Sequence, residues 1–189
     1  MKRSAASFCL LLALAGCGLE RATAMRPEDI AQFHQVTPTL ATAGAPLQSD
    51  MAMLKAAGYE LVVDLRTPDE EIDGNRLSAQ AIGLEWVNVP VGREPTLAQL
   101  DAFSAVLDAH PGARTLVHCA SNKRAASMVM LDQVTRRGVP LAEARPHMDA
   151  QWTPSPAWQA FIDRTLAAAA TAATPATAPP AMTDQETKK

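Results

Sequence analysis

Three short runs of consecutive apolar and β-branched residues punctuate the middle of the chain: Glu60 to Leu65 (ELVVDL), Leu84 to Val89 (LEWVNV) and Thr115 to His118 (TLVH). Each is bounded by glycine, proline or charge, and runs of this length predict strands buried on both faces. Between and after them the apolar positions fall at helical spacing. Helices are predicted over Ser49 to Ala57, ending at Gly58, over Pro68 to Ile82, ending at Gly83, and over Thr96 to Ala109. Thr96 with Gln99 three residues on forms a capping box ahead of Leu100, Phe103 and Leu107. Ala125 to Leu131 is apolar on nearly every face, Ser127 excepted, as a buried helix requires, and its helix ends at Gly138. Pro140 to Met148 and Ser155 to Leu166 predict two closing helices, with Pro156 at the first helical position behind Ser155. Strands that alternate with helices imply an α/β fold with a mainly parallel central sheet flanked by helices.

The two ends have a different character. Lys2 and Arg3, the apolar stretch Phe8 to Leu14, and Leu14-Ala15-Gly16-Cys17 read as an export signal over residues 1–16 with a bacterial lipobox. The apolar stretch is too short to span a bilayer, which takes about 20 residues. Cys17 is then the lipidated first residue of the mature chain, anchoring it to a membrane, and residues 17–28 are a spacer. Gly18 follows instead of the Asp associated with inner-membrane retention, so the expected location is the cell envelope, on the periplasmic face of the outer membrane. At the other end, 17 of the 23 residues from 167 to 189 are Ala, Thr or Pro, and the only large apolar side chain is Met182. Such a segment buries too little surface to offset its ordering entropy and predicts a disordered tail. What remains, residues 29–166, is the size of one domain.

Charge excludes one class of partner. Without the signal the chain carries 15 basic and 20 acidic side chains, a net −5, with only Lys123-Arg124 and Arg136-Arg137 adjacent inside the domain. Nucleic-acid binding, which needs a basic stripe, is not expected. No CxxC, HxH or HExxH spacing occurs, and His34, His110 and His147 are isolated in sequence, so neither a metal nor another cofactor is expected. Trp86, Trp152 and Trp158 read as core or lid residues. Cys9 leaves with the signal and Cys17 goes to lipid, so Cys119 is the one thiol of the domain. In an oxidising envelope an unpaired thiol is a liability unless it is inaccessible or used.

The segment TLVHCASNKRAASMVML favours use. It places Cys119 just past the carboxyl end of a buried strand and Arg124 at the mouth of a buried helix, the place where ligands bind in open α/β sheets. Unpaired N–H groups and the helix dipole favour an anion there, and the same field favours the thiolate, the nucleophilic form of cysteine. Lys123 adds charge, and Arg124 can hold two oxygens of a phosphate or sulfate at once. Ala120, Ser121, Asn122, Lys123 and Ala125 are the remaining candidates for a phosphate cradle. Asn122 is suited to a position of positive φ, where glycine is the usual choice.

At this point the chain resembles the bacterial tyrosine-phosphatase-like domain also found joined to β-lactamase-like hydrolases. The resemblance covers about residues 33 to 163. It is carried by Ala43-Gly44-Ala45-Pro46, Val62-Val63-Asp64-Leu65-Arg66, Val87-Asn88-Val89-Pro90-Val91, Val117-His118-Cys119 through Arg124, and Pro156, Trp158 and Phe161. It implies a cysteine-phosphatase fold in which Cys119 attacks phosphorus, Arg124 and the loop amides bind the phosphoryl oxygens, and water releases phosphate from a phosphocysteine. The substrate would be a phosphomonoester on a small molecule or a protein, with phosphotyrosine one option. His118 would support the cysteine by charge or by holding the loop.

Three features depart from the better-known phosphatases. Four residues, not five, separate Cys119 from Arg124, a spacing shared with rhodanese-type sulfurtransferases, in which the cysteine carries a persulfide. Ala125 and Ala126 stand where a Ser or Thr usually follows the arginine. The loop after the second long strand offers only Glu94, which reads first as a solvated loop carboxylate and second as a general acid, while Asp64, near the end of its strand, is a candidate for orienting the site, for donating a proton, or for simple packing. Besides the phosphatase, two readings therefore stay open: a rhodanese-like sulfurtransferase using Cys119, and a non-catalytic anion-binding module that kept the fold.

Overall fold

The computed structural model describes residues 25–173. The predicted signal (1–16), Cys17 with its predicted lipid, most of the predicted spacer and residues 174–189 of the predicted tail lie outside the described residues. The three apolar runs form β3 (Leu61–Asp64), β4 (Glu85–Asn88) and β5 (Thr115–His118). Two strands not read from sequence precede them, β1 (His34–Thr37) and β2 (Leu40–Ala43). The sheet order is β1-β2-β5-β3-β4, parallel throughout except for the β1-β2 hairpin at the edge. The α/β architecture with a mainly parallel sheet is therefore as expected, and the hairpin enlarges it. The hairpin escapes pattern reading because β2 is Leu-Ala-Thr-Ala, a composition with little intrinsic strand preference. Pairing with β5 on one side and β1 on the other makes it a strand, with Ala41 and Ala43 fully buried.

Successive strand residues face opposite sides, so each run feeds two cores. Leu61, Val63 and Val117 pack with Phe103, Met128, Leu131 and Ile162, which come from α3 (Leu97–Ala109), α4 (Lys123–Thr135) and α6 (Pro156–Ala173). Val62 and Leu116 pack on the other face with Met51 and Leu54 of α1 (Asp50–Ala56), Tyr59, and Ala79 of α2 (Asp73–Ala81). α5 (Leu141–Asp149) closes the first side through Ala144 and Met148. Every residue of α4 from Ala125 to Gln133 is buried, and each large apolar side chain so placed contributes about 1.5–3 kcal/mol. The capping box of α3 forms as predicted: Gln99 N donates to Thr96 Oγ1 (3.3 Å), and Thr96 N donates to Gln99 Oε1 (3.0 Å).

Two predicted boundaries change. The helix expected over 68–82 is two elements, a 3-10 turn at Pro68–Glu70 and then α2. Thr67 N and Oγ1 each donate to Glu70 Oε2 at 2.8 Å, closing the turn on itself, and Glu71 at φ 56° ends it in a left-handed conformation. The last helix reaches Ala173, into the stretch read as tail from residue 167. Alanine is the best helix former, and Ala167 to Ala170 continue a helix already nucleated by the buried Trp158, Phe161 and Ile162.

Candidate active site

The central strand β5 delivers Cys119 to a four-residue loop, and α4 starts at Lys123. The loop is propped from behind by the end of β2. Cys119 N donates to Ala43 O (3.3 Å) and Ala45 N to Ala120 O (3.2 Å). Between them Gly44 passes so close that a Cβ there would lie 2.9 Å from Ala31 O and 3.3 Å from Ala120 O, so a side chain at this position would displace the loop. Asn122 adopts φ 57°, the conformation expected of it. Its Nδ2 donates to Gln32 O (2.7 Å) and Gln151 Oε1 (3.2 Å), which ties the loop to the edge hairpin and to the residues after α5. Asn122→Ala is expected to lose about 2–4 kcal/mol of stability from lost hydrogen bonds plus a strained φ. Asn122→Gly, which keeps the backbone at ease, should lose only about 1–2, and urea unfolding of the two variants measures the difference.

The first intrahelical bond of α4 runs from Ala126 N to Asn122 O (3.0 Å). The N–H groups of Lys123, Arg124 and Ala125 therefore have no acceptor within the helix and are available to an anion. Arg124 is held in place from three sides. Its Nη1 donates to Glu70 Oε2 (2.8 Å), Val91 O (2.9 Å) and Leu65 O (3.4 Å), and its Nη2 to Glu70 Oε1 (2.6 Å). Of the five guanidinium N–H groups, this leaves Nε–H and the second Nη2–H side by side, an edge that matches two phosphoryl oxygens. Hydrogen bonding to Glu70 is the main reason the guanidinium holds its proton more tightly than usual, and the nearby Cys119 sulfur acts in the same direction. In return Arg124, helped by Thr67, holds the Glu70 carboxyl down to about 2 against the cost of partial burial. Glu70 was not among the residues singled out from sequence. Its one local signal is Thr67-Pro68-Asp69-Glu70, a capping-box spacing, while its partner stands 54 residues away.

Behind the loop, Asp64 and Arg66 form a buried pair. Asp64 accepts from Arg66 N (2.9 Å), Nε (3.1 Å to each oxygen) and Nη2 (2.7 Å). Asn88 Nδ2 donates to the carbonyls of Asp64 (2.7 Å) and Arg66 (2.9 Å), fixing the strand end. With both oxygens occupied and no exposure, Asp64 is a support rather than a proton donor. His118 lies opposite Asp64 in the β3-β5 register, fully buried, with Nε2 3.5 Å from Asp64 Oδ2. Burial pushes its pKa down to about 4, with Asp64 opposing and Arg66 reinforcing the shift, so the ring is neutral at pH 7. Of the two roles expected for His118, support of Cys119 by an imidazolium charge falls away and holding the loop from behind remains.

In front of the loop is an open cleft of about 790 Å³. Its walls are Thr67, Asp69 and Glu70 from the 3-10 turn, Gly92 and Arg93 from the loop after β4, Ser121, Lys123 and Arg124 from the cysteine loop, and Trp152, Ser155 and Trp158. Cys119 itself lies below this floor, 1% exposed, in contact with the apolar core. Ala120 is exposed and Ala125 is buried in α4. Glu94 is exposed and does not line the cleft, the place of a solvated loop carboxylate rather than of an acid facing the substrate. Trp152 donates Nε1–H to Ser127 Oγ (3.1 Å), lies edge-on to Trp158 (centroids 6.0 Å apart) and carries Lys123 Nζ 5.9 Å from its ring centre. Ser127, two residues beyond Ala125, thus serves the cleft wall. Trp86 packs in the second core. His34 and His147, isolated in sequence, meet at 2.8 Å.

A parallel sheet whose central strand presents a cysteine on a loop closed by an arginine, at the mouth of a buried helix, defines the cysteine-phosphatase fold. Residues 32–136 match the family described as the phosphatase-like domain of beta-lactamase hydrolase-like proteins, and the chain belongs to that family. Among solved structures, the DUF442 protein of Shewanella putrefaciens CN-32 is 29% identical, with a TM-score of 0.64 over 75% of this chain and 95% of that one. Human DUSP28 is 24% identical, with a TM-score of 0.59 over 75% of this chain and 98% of its own. TpbA of P. aeruginosa, solved as a Cys-to-Ser variant in complex with pTyr, is 16% identical, with a TM-score of 0.58 over 78% of this chain and 94% of its own. The last two share the fold. No curated protein matches the chain closely enough to count as a relative. The protein is a phosphatase of the cysteine-phosphatase kind.

Proposed function

We propose that this chain hydrolyses a phosphomonoester in two steps, through a phosphocysteine on Cys119. The observation that carries the proposal is the state of Arg124. Glu70 and two backbone carbonyls occupy one end of the guanidinium and leave the Nε–Nη2 edge for an oxyanion beside the thiol and the free N–H groups of α4. In the first step the Cys119 sulfur attacks phosphorus, the S–P bond forms, the bond to the ester oxygen breaks, and the charge spread over the phosphoryl oxygens meets donors already in place. In the second, water attacks phosphorus, the S–P bond breaks, and phosphate leaves. A cleft walled by Trp152 and Trp158 suits an aryl ester such as phosphotyrosine. By its lipobox the protein is also proposed to work as a lipoprotein of the cell envelope, held through Cys17. No helix among the described residues is long and apolar enough to cross a membrane.

Two other readings have a specific feature in their favour. The four-residue spacing from Cys119 to Arg124 fits a persulfide-carrying sulfurtransferase, and the 1% exposure of Cys119 fits a non-catalytic anion-binding module. Initial rates on two substrate sets separate them. Phosphate release from an aryl phosphate, without thiocyanate from thiosulfate and cyanide, is the expected result. Thiocyanate alone would establish the sulfurtransferase, and phosphate binding with neither activity would establish the module.

A further inference from the structure

Two carboxylates line the cleft among the described residues, Asp69 and Glu70, and both stand on the same 3-10 turn. Their circumstances are opposite. Glu70 has both oxygens engaged by Arg124 and Thr67, so it remains an anion and has no proton to give. Asp69 is exposed to the cleft and, among the described residues, makes neither an ion pair nor a side-chain hydrogen bond. The bond from Glu70 to Arg124 fixes the turn, and the Asp69 Cα lies only about 3.8 Å along the chain from that of Glu70. The other two candidate acids are out of play: Asp64 is buried under Arg66, and Glu94 lies outside the cleft.

Building on the phosphatase reading above, we propose that Asp69 is the general acid of this site. Attack by sulfur is in line, so when the phosphoryl oxygens occupy the loop amides and the Arg124 edge, the ester oxygen points away from Cys119 and out into the cleft that Asp69 walls. In the first step the Asp69 carboxylic acid gives its proton to the ester oxygen as the P–O bond breaks, and the alcohol or phenol leaves neutral. In the second step the Asp69 carboxylate takes a proton from the attacking water as the S–P bond breaks, which restores both the thiolate and the acid. The acid thus comes from the turn after β3 rather than from the loop after β4.

The test compares two esters on the purified protein, because a general acid matters in proportion to how poor the leaving group is. Phenyl phosphate releases a phenol with a pKa of about 10, near that of tyrosine, whereas p-nitrophenyl phosphate releases a far better leaving group. Asp69→Asn is expected to lower kcat for phenyl phosphate by about 10²–10³-fold and for p-nitrophenyl phosphate by less than about tenfold. Asp69→Glu, which keeps an acid, should restore much of the phenyl phosphate rate and so rules out misfolding as the cause. Equal losses on both esters, or none, with the wild type active, would overturn the assignment of Asp69 alone. A wild-type protein that turns over neither ester would overturn the phosphatase reading and this assignment with it.

Discussion

Cys119→Ser should lower kcat/KM for an aryl phosphate by at least about 10³-fold, the scale at which an enzyme loses its nucleophile. The loss follows from what surrounds the residue. A serine hydroxyl needs a base, and the candidates behind the loop are unavailable: His118 is buried and Asp64 has both oxygens on Arg66. Binding should survive. The loop amides, the free N–H groups of α4 and the Arg124 edge do not depend on sulfur, so inorganic phosphate should bind the variant about as well as the wild type. The exchange also barely changes volume in the buried core to which Cys119 belongs with Leu65, Val89 and Val91. Steady-state kinetics with phosphate titration reads both, and comparable turnover by the variant would exclude Cys119 as the nucleophile.

Arg124→Lys should cost about 10²–10³-fold in kcat with the fold retained, since Lys offers a single flexible ammonium where Arg124 offers a planar fork. An ammonium cannot hold both oxygens of Glu70, reach the Val91 carbonyl and still present two donors to a phosphoryl group. A pH signature accompanies the loss. Arg124 holds Glu70 at about 2 against an ordinary 4.5. A carboxyl depressed in the folded state stabilises the protein above the unfolded value, and that stability fades as pH falls from about 4.5 toward 2. In Arg124→Lys the Glu70 carboxyl should titrate nearer its ordinary range, which removes this share of the acid dependence. Thermal unfolding across pH 2 to 6 measures it. A variant with unchanged kcat would mean that the guanidinium edge never meets the substrate.

Much of this was legible in sequence because it is local. The three strands are continuous apolar runs, the thiol and the arginine lie six residues apart counting both, and the positive φ of Asn122 follows from the conformational tolerance of asparagine. What escaped depends on distant partners. Leu40 to Ala43 is a strand only because β5 and β1 flank it. Glu70 belongs to the site only because Arg124 reaches back to it from another element, and the helical pattern of 68–82 hides the turn that makes this possible. Asp69 went unnoticed for the same reason: nothing local marks it, and only the turn after β3 places it in the cleft. His118 was read for charge or for holding the loop, and burial removes the charge.

The most direct test of the central claim is to mix the protein with excess aryl phosphate, quench with alkaline denaturant within the first turnovers, and map the peptides by mass spectrometry without exposing them to acid. A phosphoryl group on the peptide containing Cys119, absent from Cys119→Ser and gone once substrate is exhausted, is the predicted result. Turnover without label on that peptide, or with the label on another residue, would contradict it.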